Sequence, residues 1–294
     1  MNLRDLEYLV ALDEHKHFGR AARATFATQP TLSLQLMKLE KELGVKLVER
    51  TNRKVFMTPM GKKIAARART VIGGAKEIAA MALESQDPMA GELHLGVFPT
   101  LAPYLLPRIV ADIMKAYPGL RLKLVEEKTE VLISRLNGAD LDAAFLALPI
   151  KEEGLQAHYL MEEEFLLAVA KAHPWAKKKR VSRRELKNRD LLLLEEGHCL
   201  RDQALEFCGR VGAGEFPDFR ASSMETLIQM VAADVGMTLI PKMAAKTGGP
   251  IAYIPFEGAR PSRKIGIVWR KSSVRKNLLE DLKKRLASSL SQPA

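Results

Sequence analysis

The sequence predicts an α/β chain in two parts: a small N-terminal winged helix-turn-helix and a long linker helix, then a two-lobed α/β domain. Three observations predict it. Basic charge is confined to one block: residues 16–76 hold 14 Lys/Arg against 3 Asp/Glu, leaving 32 basic and 32 acidic residues for everything else. Apolar spacings of three and four dominate the N-terminal part and give way, from Glu92 onward, to alternating strand and helix patterns. Between the two runs an apolar helical seam about three heptads long.

The 294 residues, 47% hydrophobic and 28% charged, are those of an ordinary globular protein with room for two domains. No apolar run approaches the roughly 18 residues of a membrane span, and Met1-Asn2-Leu3-Arg4-Asp5 lacks a secretory apolar region. The expected location is therefore the cytoplasm, with no membrane partner. Two cysteines cannot staple a secreted scaffold, so any disulfide here is conditional. The segregated positive charge is the footprint of a polyanion-binding module.

The first helix is read from Leu3, Leu6 and Val10, and a short second one from Phe18 to Thr25, where Ala21 and Ala22 permit close packing. Thr28-Gln29-Pro30-Thr31 opens a third, with Thr28 as N-cap and Pro30 in the first turn. Its core face is Leu32, Leu36, Leu39 and Leu43; Gly44 ends it. The opposite face carries Thr31, Ser33, Gln35 and Lys38, which with Gln29 and Pro30 are the expected DNA contacts. Two strands around Thr51-Asn52-Arg53 form a wing that offers Arg50, Arg53 and Lys54 to phosphates or the minor groove. Thr58-Pro59 starts the linker helix, whose seam is Ile64, Ala68, Val71, Ala75, Ile78 and Ala82, and Ser85 to Gly91 is the hinge.

In the second part, strands are expected at Leu93–Val97, Leu120–Glu126 and Ala143–Ala147, with helices around Leu105–Tyr117 and Val131–Asn137. Phe165–Ala170 starts a second lobe, and Ile265–Trp269 returns the chain to the first, in a sheet expected to be largely parallel. Such lobes enclose a cleft, which Thr100 and Thr129, each following a strand, are placed to face.

Both cysteines fall in the second lobe, nine positions apart, in Leu191-Leu192-Leu193-Leu194-Glu195-Glu196-Gly197-His198-Cys199 and onward to Cys208. The four leucines read as a buried strand. Asp202 is expected to cap a short helix that Gly209 closes, with Cys199 just before it and Cys208 on it. Disulfide Cα atoms lie roughly 4.4–6.8 Å apart, whereas nine helical steps of about 1.5 Å span about 13 Å. Helix and disulfide then exclude each other. His198 and Arg201 flank Cys199, and a cation beside a thiol favours the thiolate. Two readings stand open: a redox pair, or two unrelated reduced thiols of the kind usual in the cytosol. Gly209-Arg210-Val211-Gly212-Ala213-Gly214 lacks the order of a dinucleotide fingerprint and reads as a flexible loop. His15 and His17 fall short of a zinc site, which needs four clustered ligands. No metal or cofactor is expected.

Asp5-Leu6-Glu7-Tyr8-Leu9-Val10-Ala11-Leu12, His17-Phe18, Ala21-Ala22, Gln29-Pro30-Thr31-Leu32-Ser33 and Leu39-Glu40 resemble the LysR-type transcriptional regulators. Gly197-His198-Cys199-Leu200-Arg201-Asp202-Gln203-Ala204 with Phe207-Cys208 is similar to the hydrogen-peroxide-sensing branch of that family, and the likeness covers essentially the whole chain. Leu34 and Met37 depart from it, standing where a glycine and an arginine are expected. The resemblance implies a regulatory domain of the periplasmic-binding-protein type. It also implies a homotetrameric activator, a dimer of dimers, that binds double-stranded promoter DNA and recruits RNA polymerase when oxidised. It assigns Cys199 as peroxidatic thiol and Cys208 as its resolving partner, with Thr100, Thr129, His198 and Asp202 around the peroxide and Arg201 beside them. Peroxide is then an effector rather than a cofactor, and cellular dithiols reverse the disulfide. The divisions expected are 1–58 for DNA binding, 59–90 for linker helix and hinge, and 91–294 for regulation, with lobe I about 91–162 and 265–294 and lobe II about 163–264. The rivals are a metabolite-responsive regulator of the same family and, from another class, a thiol peroxidase; the basic helix-turn-helix has no place in the latter.

Overall fold

The computed structural model describes residues 1–50, 55–84, 89–246 and 248–290. The chain divides into two compact units, one built on the N-terminal helices and one on the α/β elements.

In the first unit, α1 (Leu3–His15) starts at a capping box: the Asn2 side chain accepts the Asp5 amide at 3.0 Å, and Asp5 accepts the Asn2 amide at 2.9 Å. His17 caps α2 (Phe18–Ala24), its Nδ1 accepting the Gly19 and Arg20 amides. The histidine pair noted in the sequence thus includes a helix cap. α3 (Gln29–Leu43) begins at Thr28 and ends at Gly44, whose φ of 68° suits a residue without a side chain. Leu32, Leu36 and Leu39 pack on Leu9, Leu12, Ala21 and Ala22.

The wing pairs β1 (Val48–Arg50) with β2 (Val55–Met57) in antiparallel register. Buried Glu40 at the end of α3 holds it, accepting the Leu47 amide at 2.8 Å and the Val48 amide at 3.1 Å. Arg53 and Lys54, and the side chain of Arg50, lie outside the described residues.

α4 (Pro59–Glu84) divides the expected seam. Ala68 turns inward onto Leu6 and Val10 of α1 together with Ile72, which the expected seam does not include, while Val71 and Ile78 of the seam stay 54% and 70% exposed. Ala82 of that seam and residues 85–88 of the hinge lie outside the described side chains and residues.

The α/β elements are β3 (Gly91–Val97), α5 (Ala102–Ala116), β4 (Leu120–Glu126), α6 (Thr129–Asn137), β5 (Ala143–Leu148), β6 (Leu155–Ala170), β7 (Asp190–Leu194), α7 (Cys199–Val211), β8 (Gly214–Ala221), α8 (Met224–Ala232), β9 (Thr238–Pro241), β10 (Ile251–Ile254), β11 (Ser262–Arg270) and α9 (Lys276–Leu290). The sheet runs β10-β6-β11-β5-β3-β4, with β9 also on β6, and β7 and β8 pair separately.

The sheet is less parallel than the sequence suggests. Pairing is parallel for β3–β4, β3–β5 and β7–β8, but β11 is antiparallel to β5 and β6, and β6 is antiparallel to β9 and β10. The reason is topological. β6 carries the chain from lobe I into lobe II and β11 brings it back, so the two run opposite ways. β6 is one strand through Glu162-Glu163-Glu164, a polar run that hides its continuity from an apolar pattern. Its first part pairs with β11 and its last residues with β9 and β10, so one strand belongs to both lobes.

Candidate redox site

β7 is the buried strand expected from its leucines, and Leu191 to Leu194 anchor the loop Glu195–Gly197 that follows. Gly197 has φ 86°, a left-handed turn that releases the chain into α7. This helix starts earlier and ends later than the sequence suggests. His198 is its N-cap, Cys199 its first residue and Gly212 its C-cap, so Asp202 lies in the first turn and Gly209 lies inside. The glycine-rich stretch is therefore the end of α7 and the start of β8 rather than a loop.

The two cysteines consequently share one continuous helix, both free. Nine residues at about 100° each put them on opposite faces, about 13 Å apart along the axis. Cys208 points into the lobe II core with Leu200, Ala204 and Phe207, and burial pushes its thiol up to about 11. Cys199 keeps partial solvent access at the helix N-terminus, where peptide dipoles favour an anion. Surrounding protein nonetheless desolvates its thiol and pushes its pKa up; Arg263 and the hydroxyls of Thr100 and Thr129 pull the other way, while Asp202 adds to the rise.

Lobe I and the crossing strand β11 supply this counter-pull. Thr100 is buried in the turn after β3, and Thr129 begins α6 after β4. Arg263 on β11 is buried over the rings of Phe98 and Phe165, at 5.0 and 5.7 Å. Its Nη1 donates to Thr100 Oγ1 at 2.8 Å, its Nη2 to the Thr100 carbonyl at 3.1 Å and its Nε to Glu163 at 2.7 Å. With its oxygen already accepting from Arg263, Thr100 keeps its own proton for the sulfur side. The buried Thr129 hydroxyl meets no protein partner with hydrogen-bond geometry, although it lies close enough to Cys199 to favour the thiolate. It is an uncommitted polar group beside the thiol.

Two flanking residues do not have the part the sequence suggests. His198 is buried, its Nε2 4.0 Å from Glu195 Oε1; desolvation and the Lys128 ammonium push its pKa down against the pull of Glu195 and the Ser222 backbone, which disfavours a cation beside the thiolate. Arg201 turns away, giving Nη1 and Nη2 to the Glu215 carboxylate at 2.6 and 2.9 Å and Nη1 to the Leu194 carbonyl at 3.1 Å. It fastens α7 to β7 and β8. Asp202 is exposed to solvent.

Arg263 and Glu163 were missing from the sequence reading, since nothing in linear order brings β11 and β6 to the turn after β3. Lys128 was missing too, though it adjoins Thr129. Its Nζ donates to Glu195 Oε1 at 2.7 Å and to the Glu196 carbonyl at 2.9 Å, strapping lobe I to the cysteine loop. A cleft of about 640 Å3 opens beside it, lined by Thr100, Tyr104, Lys128, His198, Ser223 and Glu225. Among the described residues no metal-ligating group of three or more His, Cys, Asp or Glu occurs, and no helix is long and apolar enough to cross a membrane.

Residues expected on DNA keep their places on α3: Gln29, Pro30, Thr31 and Lys38 are exposed, and Ser33 and Gln35 half-buried.

Residues 3–62 match the bacterial regulatory helix-turn-helix protein family, lysR type, and residues 86–291 match the LysR substrate binding domain. The chain is 46% identical over 286 residues to the DNA-binding transcriptional dual regulator OxyR of Escherichia coli K12, covering 96% of this chain and 93% of that one. The chain belongs to the LysR family, in its OxyR group. Solved OxyR structures agree. A full-length OxyR variant from Pseudomonas aeruginosa is 35% identical with a TM-score of 0.72, covering 97% of this chain and 94% of that one. A hydrogen-peroxide-bound OxyR mutant from Corynebacterium glutamicum is 34% identical with a TM-score of 0.66, covering 99% and 92%. In LysR-family terms, the helix-turn-helix is α2–α3, and the substrate-binding domain is the α/β unit that holds both thiols.

Proposed function

We propose that the chain is a DNA-binding transcriptional activator of oxidative-stress defence genes that senses hydrogen peroxide through a reversible Cys199–Cys208 disulfide. The observation that carries this is one helix bearing both thiols on opposite faces, with Cys199 set against Arg263, Thr100 and Thr129. The OxyR names of the relatives supply the effector.

Peroxide binds at Cys199, oriented by the Thr129 and Thr100 hydroxyls. Sulfur attacks one peroxide oxygen and the O–O bond breaks. The leaving oxygen departs as water, taking the thiol proton through Asp202 or a solvent molecule. Cys199 is then a sulfenic acid. Cys208 attacks that sulfur, the S–S bond forms and a second water leaves. No disulfide fits across α7 as it stands, so closure unwinds the helix and withdraws Cys208 from the lobe II core. A dithiol returns both sulfurs to thiols by exchange.

In this reading residues 1–58 bind promoter DNA, 59–90 link and dimerise, and 91–294 sense, with lobe I at about 91–162 and 265–294 and lobe II at about 163–264. Gln29, Pro30, Thr31, Ser33, Gln35, Lys38, Arg50, Arg53 and Lys54 face the duplex. The assembly is a cytoplasmic dimer of dimers that engages RNA polymerase when oxidised. Peroxide is consumed once per oxidation, so the protein is a sensor and not an enzyme.

Peroxide treatment of the pure protein followed by thiol mapping tests the mechanism. The expected product is an intramolecular Cys199–Cys208 bond, and a Cys208→Ser protein should hold a dimedone-reactive sulfenic acid at Cys199. An oxidised protein without that bond removes the switch. The cleft beside Lys128 also supports a second reading, a regulator that binds a metabolite there. Thermal stabilisation by a compound from a metabolite panel, with no thiol change on peroxide, selects it.

A further inference from the structure

The recognition helix α3 presents an apolar centre to solvent. Leu32, Leu36 and Leu39 define its buried side. At about 100° per residue, Leu34 lies about 190° from their mean direction, on the line furthest from the core, with Met37 to one side and Lys38 to the other. Leu34 is 49% exposed and Met37 44%. Glu40 and Thr28 fix the two ends of α3, so these side chains project from a rigid element.

In a helix-turn-helix this outward line is the part that enters the major groove. The module around it is strongly basic, which commits the face to a polyanion rather than to an apolar protein surface. Leu and Met neither donate nor accept the hydrogen bonds that distinguish adenine, guanine and cytosine edges. The apolar feature of the major-groove edge is the thymine 5-methyl group. We propose that Leu34 and Met37 determine the operator specificity of this protein by packing on thymine methyl groups, with Thr31, Gln35 and Lys38 contacting polar edges and phosphates around them. The proposal rests on the DNA-binding reading above.

Selection of duplexes from a random-sequence pool by the full-length protein yields its preferred site. Each thymine of that site is then replaced singly by deoxyuridine, which removes the methyl and nothing else. Uracil at one or more thymines of each half-site should weaken binding about fourfold, the worth of one buried methyl group. Leu34→Ala and Met37→Ala, exposed and therefore tolerated by the fold, should bind thymine and uracil duplexes alike. Tight binding to the selected site with indifference to uracil at every position overturns the proposal and leaves DNA binding intact, as does a double variant that still discriminates. A pool from which nothing is selected overturns both.

Discussion

Cys199 is held in a setting that opposes its own ionisation. Burial raises its pKa, and Arg263, Thr100 and Thr129 only partly offset that rise. The sign of the pH dependence follows. With the thiol above its ordinary value of about 8.5, the thiolate fraction grows about tenfold per pH unit through neutrality and levels off only beyond that value. The peroxide oxidation rate of Cys199 should therefore climb steadily from pH 6 to past 8.5, as followed by rapid quench and mass spectrometry. A plateau below pH 8 contradicts the desolvated site. Arg263→Lys keeps the positive charge beside Glu163 but loses the fork that reaches Thr100 and Glu163 together. Oxidation should slow by about tenfold, one pKa unit. Equal rates would leave the fork without a role. Lysine is the informative replacement, because an uncharged residue strands Glu163 in the interior at a cost of about 3–5 kcal/mol.

At the scale of the element, the proposed switch makes the intact helix α7 the reduced state. Arg201 pins its first turn to β8, while its last turn contains Gly209 and closes at Gly212. An added Cβ at Gly209 meets open space, and its φ needs no glycine. Gly209→Ala should therefore strengthen the reduced helix by about 1 kcal/mol. A more stable dithiol form makes the disulfide a stronger oxidant, raising its reduction potential by about 20 mV. Titration against a glutathione buffer measures this. An unchanged or lowered potential means that α7 does not unwind on oxidation. α3 shows the opposite case, an element clamped at both ends by Thr28 and Glu40 so that its outward face holds still.

At the scale of the whole molecule, the proposed assembly rests on α4. Ala68 and Ile72 are used up on α1, yet Val71 and Ile78 remain exposed on the neighbouring stripe. A second copy packing along that stripe would bury them. Val71→Glu with Ile78→Glu places acidic charge there and should shift sedimentation toward the monomer and cut operator affinity by at least about tenfold, the loss of a second half-site. Peroxide oxidation of Cys199 should be unaffected, since those residues belong to the other compact unit. Unchanged sedimentation would assign the stripe to solvent.

Sequence by itself determined what local chemistry controls. Thr28, Pro30 and Gly44 bound α3, and the spacing of Leu32, Leu36 and Leu39 chose its buried side, because caps and periodicity act within a few residues. The separation of Cys199 from Cys208 was also legible, since helical rise needs no neighbours to compute. Tertiary structure decided the rest. The cation that acts on the thiol is Arg263, 64 positions beyond Cys199, and not the adjacent Arg201 or His198. Glu215 claims Arg201, and burial disfavours the charged form of His198. Electrostatics at a buried site depends on distance and dielectric in space, and those are set by how β6 and β11 cross between the lobes.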